Sequence, residues 1–100
     1  MKILDDCHNY LLDTFMETGN PKLSFYEMRE DGTKLDGTTN EEVLQVLIHR
    51  LNYLNSIWQE GKFRCRENSI AITKLEEALM WLEKRTSDRV IRKVEGTHEQ

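Results

Sequence analysis

The sequence has little of what usually holds a small fold together. It has two cysteines, Cys7 and Cys65; with no framework of spacings, they read as reduced thiols rather than a disulfide scaffold. The three histidines, His8, His49 and His98, stand far apart, and the adjacent Cys7-His8 pair cannot readily converge on one ion. No metal and no cofactor is therefore expected. No apolar run approaches the length that spans a bilayer. The start, Met1-Lys2-Ile3 and soon Asp5-Asp6, does not resemble a secretory leader. These absences predict a soluble, cytoplasmic protein without a membrane partner.

Catalytic patterns are missing as well. Ser24, Ser56, Ser69 and Ser87 lack nucleophile-elbow glycines, and no Cys/His pair has a recognisable signature. Glu76 and Glu77 are consecutive, so on a helix they point about 100° apart and do not cooperate as acid and base. There is neither a P-loop nor a GxGxxG. No catalytic residue is expected, and the chain reads as a non-enzyme.

What remains is charge and helical periodicity. The net charge is −4. Residues 1–60 carry five Lys/Arg against eleven Asp/Glu, whereas residues 61–100 carry nine against seven. An acidic chain without an extended basic face is unsuited to DNA or RNA. Local basic clusters, Lys62 to Arg66 and Lys84, Arg85, Arg89, Arg92 and Lys93, still suit a compact anion.

Three segments have helical spacing. Leu4, Cys7, Leu11 and Phe15, widened by Leu12 and Met16, predict a helix over about 2–18, ended by Gly19-Asn20-Pro21. Residues 20–39 read as irregular, with turns at Asp31-Gly32 and Asp36-Gly37 and a short extended arm at Leu23 to Met28. A second helix opens at Thr39, an N-cap with Glu42 three residues on. Its apolar face is read as Val43, Leu47, Arg50/Leu51, Leu54, Ile57 and Trp58, running through about Gln59, and Gly61 ends it. A third helix, about Glu67 to Asp88, repeats Ile72, Leu75, Leu79 and Leu82, the seam of a helical pair. Trp81 reads as a core anchor beside that seam. Ala71, Ala78, Met80 and Trp81 make this helix apolar over more than half its circumference. That width calls for more neighbours than one helix: the N-terminal helix could supply one and partner subunits the rest, the alternative being a closed monomeric three-helix bundle.

The expected fold class is therefore mainly all-α: an antiparallel helical hairpin with an N-terminal helix and an irregular or short β arm, oligomeric. The expected segments are 1–38, an N-terminal helix and turn-rich arm; 39–89, the hairpin domain; and 90–100, a C-terminal tail. At one end of the hairpin Arg85 and Arg89, one turn apart, would lie near Thr38, Thr39 and Asn40, whose backbone N–H groups open the second helix. That pattern suits a phosphate. It equally suits dipole compensation, with Asp88 or Glu41-Glu42 absorbing the arginines.

The string Arg66-Glu67-Asn68-Ser69-Ile70-Ala71-Ile72-Thr73-Lys74-Leu75-Glu76-Glu77-Ala78-Leu79-Met80-Trp81-Leu82, with the preceding helix from Asn40 to Trp58, resembles the hairpin domain of the phage cyclic-nucleotide sponges. These proteins counter the CBASS and Thoeris bacterial defences. The resemblance covers about residues 39–89. It implies binding and sequestration, without hydrolysis, of cyclic oligonucleotides or cyclic ADP-ribose isomers in pockets between subunits. It also implies a dimer-based homo-oligomer, commonly a hexamer, working in the host bacterial cytoplasm. Asn68, Arg85 and Arg89 fall at positions the family uses for its ligand, and Trp58 stands where an aromatic closes the first hairpin helix. Together with Thr39 and Arg66, they are the expected ligand-binding residues. The competing reading is a small helical protein–protein interaction or phage structural module without a small-molecule ligand.

Overall fold

The computed structural model describes residues 1–98; the last two positions of the expected tail lie outside the described residues. The chain divides into two compact units, Met1–Asn40 and a second that begins at Glu41.

The first unit overturns the expected N-terminal helix. Strands β1 (Lys2–Leu4), β2 (Asn9–Leu11) and β3 (Lys22–Ser24) form an antiparallel sheet in that order, and β4 (Glu27–Met28) pairs with β5 (Lys34–Leu35). Ile3 lies opposite Tyr10 and Tyr10 opposite Leu23, giving one apolar row across three strands. The Tyr10 ring also meets Phe25 edge-on at 5.8 Å. Between β1 and β2 a single 3-10 turn, Asp5–Cys7, reverses the chain, with Cys7 at φ 67°. The helical spacing of Leu4, Cys7, Leu11 and Phe15 is thus coincidental, and Phe15 is fully exposed. The expected break at Gly19-Asn20-Pro21 belongs instead to the β2–β3 connection, where the Pro21 carbonyl accepts the Leu12 N–H at 2.9 Å.

The two expected turns are present. Asp31 Oδ1 accepts the Thr33 N–H at 2.8 Å in the β4–β5 hairpin. Asp36 Oδ1 accepts the Gly37 N–H at 2.9 Å. Gly37 is needed for close approach, since a Cβ there would sit 2.4 Å from the Phe25 carbonyl carbon. Thr38 follows, bridging to Phe25.

The second unit is the expected helical pair. α1 (Asn40–Ser56) opens with Glu41 and Glu42 in its first turn, which suits the helix dipole. A tight turn (Trp58–Gly61) follows, then α2 (Arg66–His98). The expected third helix therefore continues past Asp88 through His98, a span of 33 residues or about 50 Å. The helices run antiparallel. Asn55 near the end of α1 hydrogen-bonds Ser69 near the start of α2, while Glu41 at the start of α1 pairs with Arg85 far along α2.

The expected inward face of α1 holds in part, since Val43, Leu51 and Leu54 are partly covered, but it is wider on one side and open on the other. Leu44, Ile48 and Asn55 are at least partly covered as well, whereas Leu47 and Ile57 are 42% and 66% exposed. On α2 the seam of Ile72, Leu75, Leu79 and Leu82 holds. Trp81 is corrected: it is 57% exposed and does not serve this chain's core. Ile72 is the one buried apolar side chain among the described residues. Val46 and Tyr53 of α1 and Ile70 and Met80 of α2 stay exposed as well.

Candidate ligand site on the helical hairpin

The hairpin turn is built from unusual backbone. Gln59 (φ 49°, ψ 44°) and Glu60 (φ 57°, ψ 30°) are left-handed, and Gly61 follows at φ 78°. Left-handed conformations cost a non-glycine residue about 1–2 kcal/mol each, so neighbouring contacts must offset them. The Gln59 carbonyl accepts the Lys62 N–H, and the Gly61 carbonyl the Arg64 N–H, each at 3.1 Å.

Asn55 supplies the main anchor. It is the one buried polar residue among those described, at 8% exposure. Its Oδ1 accepts the Cys65 N–H at 3.0 Å, and its Nδ2 donates to Ser69 Oγ at 3.2 Å. Its backbone carbonyl accepts Arg64 Nε at 3.2 Å. The Cys65 amide just precedes α2, where backbone donors lack intrahelical partners, so Asn55 caps that helix from the other one. The signal was available in the sequence: an asparagine on the apolar face of α1, seven residues after Ile48.

Trp58 and Phe63 stack across this turn, with centroids 4.9 Å apart and planes 23° from parallel. Both rings are partly open, at 38% and 45% exposure, and Lys62 Nζ lies 5.9 Å from the Phe63 centroid. Asn68 Nδ2 donates to the Phe63 carbonyl at 3.4 Å. Of the predicted ligand residues, Trp58 and Asn68 are thus brought together through Phe63, which lies within the basic cluster Lys62 to Arg66. Arg66 begins α2 and borders a shallow recess with Ser69, Ile70, Thr73 and Lys74, on another side of the helix.

The other predicted residues lie toward the opposite end of the pair. Arg85 is half-exposed and forms a 3.6 Å ion pair with Glu41, one of the acids anticipated to absorb it. Asp88 is taken by Lys84 at 2.9 Å rather than by an arginine. Arg89 is exposed and has no ion-pair partner among the described residues. Thr39 immediately precedes α1 and is exposed, with a polar or ring partner of its own. Asn68 and Arg85 stand 17 residues apart on one helix, about 25 Å.

Residues 26–87 match the family model described as Acb2/Tad1, hairpin domain. The chain belongs to this family. The Acb2/Tad1 hairpin match covers α1 and α2 as far as residue 87, and reaches back into the strand-bearing residues that precede them. A relative from Bacillus phage SBSphiJ7, Thoeris anti-defense 1, is 56% identical over 64 residues, covering 64% of this chain. The chain spans 42% of that relative's length. Among the described residues no helix is long and apolar enough to cross a membrane, and no group of three or more His, Cys, Asp or Glu could hold a metal ion.

Proposed function

We propose that the chain binds and sequesters a cyclic nucleotide immune signal, a cyclic oligonucleotide or a cyclic ADP-ribose isomer, without hydrolysing it, and so counters bacterial anti-phage defence. Membership of the Acb2/Tad1 hairpin family and the relative named for Thoeris anti-defence support this reading. One geometric observation carries it. The aromatic and amide groups at Trp58 and Asn68, and the guanidiniums of Arg85 and Arg89, occupy opposite ends of the helical pair, about 25 Å apart along α2.

No single nucleotide bridges that distance within one chain. Two chains packed antiparallel would bring the Trp58 end of one to the Arg85 end of the other. A base would then stack on the indole while arginines clamp its phosphate bidentately. The exposed Val46, Ile70, Met80 and Trp81 favour such packing, because a hairpin with one buried apolar residue leaves most of its burial unrealised. The resulting protein is a dimer-based homo-oligomer.

Isothermal titration against cyclic dinucleotides, cyclic trinucleotides and cyclic ADP-ribose isomers tests the proposal, followed by recovery of the ligand after heat denaturation. Tight binding with unchanged ligand is expected. Losing a charge-assisted contact of about 1.5–3 kcal/mol through Arg85→Ala or Arg89→Ala should weaken binding roughly ten- to hundredfold. No binding across the panel, or recovery of hydrolysed product, rejects it. A native mass equal to one chain would remove the between-chain site.

A further inference from the structure

We infer that Phe63 is a positioning residue for the ligand site, holding Trp58 and Asn68 in the arrangement that receives a base; the inference rests on the proposed ligand-binding role. Phe63 is the residue that touches both. Its ring lies nearly parallel against the Trp58 indole at 4.9 Å, and its carbonyl accepts the Asn68 side-chain amide at 3.4 Å. Neither the Trp58 indole N–H nor Asn68 Oδ1 has a hydrogen-bond partner among the described residues.

The placement follows from the turn. The left-handed run at Gln59, Glu60 and Gly61 reverses the chain within a few residues, so Phe63 returns to Trp58. Arg64, the next residue, is fastened through its Nε to the Asn55 carbonyl. Phe63 is thereby held on its C-terminal side by the buried anchor of the hairpin.

The stack has a chemical consequence. An exposed tryptophan samples several rotamers, and fixing it on binding costs entropy. With one indole face covered by Phe63, that cost is met when the chain folds, and the remaining face offers one stacking surface. The tip therefore accepts one planar heterocycle per chain and contributes to the base part of a ligand rather than to its phosphates.

The test compares Phe63→Leu and Phe63→Tyr in the full chain labelled with 5-fluorotryptophan. Fluorine NMR reports each indole, and the Trp58 resonance is the one lost in Trp58→Phe. Phe63→Leu should shift the Trp58 resonance and leave that of Trp81 in place, while Phe63→Tyr preserves both. For a cyclic nucleotide bound by the parent chain, Phe63→Leu should weaken affinity roughly three- to tenfold, the scale of one aromatic stacking contact. Phe63→Tyr should restore it. Inorganic pyrophosphate, which has no base, should bind Phe63→Leu as it binds the parent. An unmoved Trp58 resonance overturns the inference whatever the ligand does. So does unchanged nucleotide affinity in Phe63→Leu, or a loss that extends equally to pyrophosphate. A parent chain that binds no cyclic nucleotide, with the fluorine shift intact, overturns the proposed function and leaves the stack established.

Discussion

Removing the Asn55 side chain should destabilise the hairpin more than any other polar substitution in α1. Asn55→Ala deletes two hydrogen bonds, one from the Cys65 amide at 3.0 Å and one to Ser69 Oγ at 3.2 Å. The two losses are unequal. Ser69 Oγ keeps its own bond to the Cys65 carbonyl at 3.3 Å, so the hydroxyl stays partnered. The Cys65 N–H precedes the first turn of α2 and loses its acceptor in a partly buried place, at a cost of about 1–3 kcal/mol. Truncating a buried side chain adds lost packing, so a total of about 2–3 kcal/mol is expected. For a chain of this size that corresponds to a drop in Tm of roughly 10–15 °C. Thermal and urea denaturation at one fixed protein concentration would measure it, because the proposed self-association would make Tm depend on concentration. Asn52→Ala is the internal control. Asn52 is exposed and bonds only the Ile48 carbonyl of its own helix at 2.9 Å, so its loss should cost less than about 0.5 kcal/mol. Equal effects at positions 52 and 55 would refute the assignment of Asn55 as the anchor.

Three further outcomes are expected. Gly37→Ala should destabilise the strand-rich unit by about 1–3 kcal/mol, because the new methyl group meets the Phe25 backbone rather than a side chain that can move; circular dichroism of the melting transition would record it. Glu41→Gln should cost under about 1 kcal/mol of stability, since its pair with Arg85 is partly solvated. The same change releases that guanidinium and should tighten phosphate-dependent binding in titration, whereas weakened binding would place Glu41 itself on the ligand. Asp31, held below the ordinary carboxylate value by its hydrogen bonds to Thr33, should stabilise the β4–β5 turn above the unfolded-state value. That contribution is lost as the pH falls through the lower folded value. The Thr33 amide resonance should follow this titration, and Asp31→Asn should abolish it.

The helical pair was legible because each signal in it is local. The opening at Thr39, the glutamates of the first turn, Gly61 and the leucine seam of α2 all lie within a few residues of what they determine. The first forty residues were not legible for the opposite reason. Their strands are two or three residues long, so a period of two is never repeated enough to compete with a chance helical spacing. What stabilises them is pairing across the chain, such as Asn9 with Ser24 and Tyr10 with Leu23, and no short window reveals that. At the candidate site, Trp58, Asn68, Arg85 and Arg89 could be named from the resemblance. Their separation into two ends followed from helix length alone. Asn55 and Phe63 escaped notice because each acts through a contact closed by the turn. Trp81 was misread because a broad apolar surface on one helix does not say which part faces its own chain.

The long second helix limits how the protein could adapt. From Arg66 to Glu95 it contains neither proline nor glycine, so nothing in its backbone invites a bend. The gap between its amide-bearing and arginine-bearing regions behaves as a fixed gauge, set by a count of residues. In the proposed antiparallel pair, that gauge would set how far apart the two shared sites lie, not the size of the guest in either. Any retuning toward a larger or smaller guest falls to the side chains at the two ends of the helix, where a few substitutions could change the choice and leave the scaffold untouched.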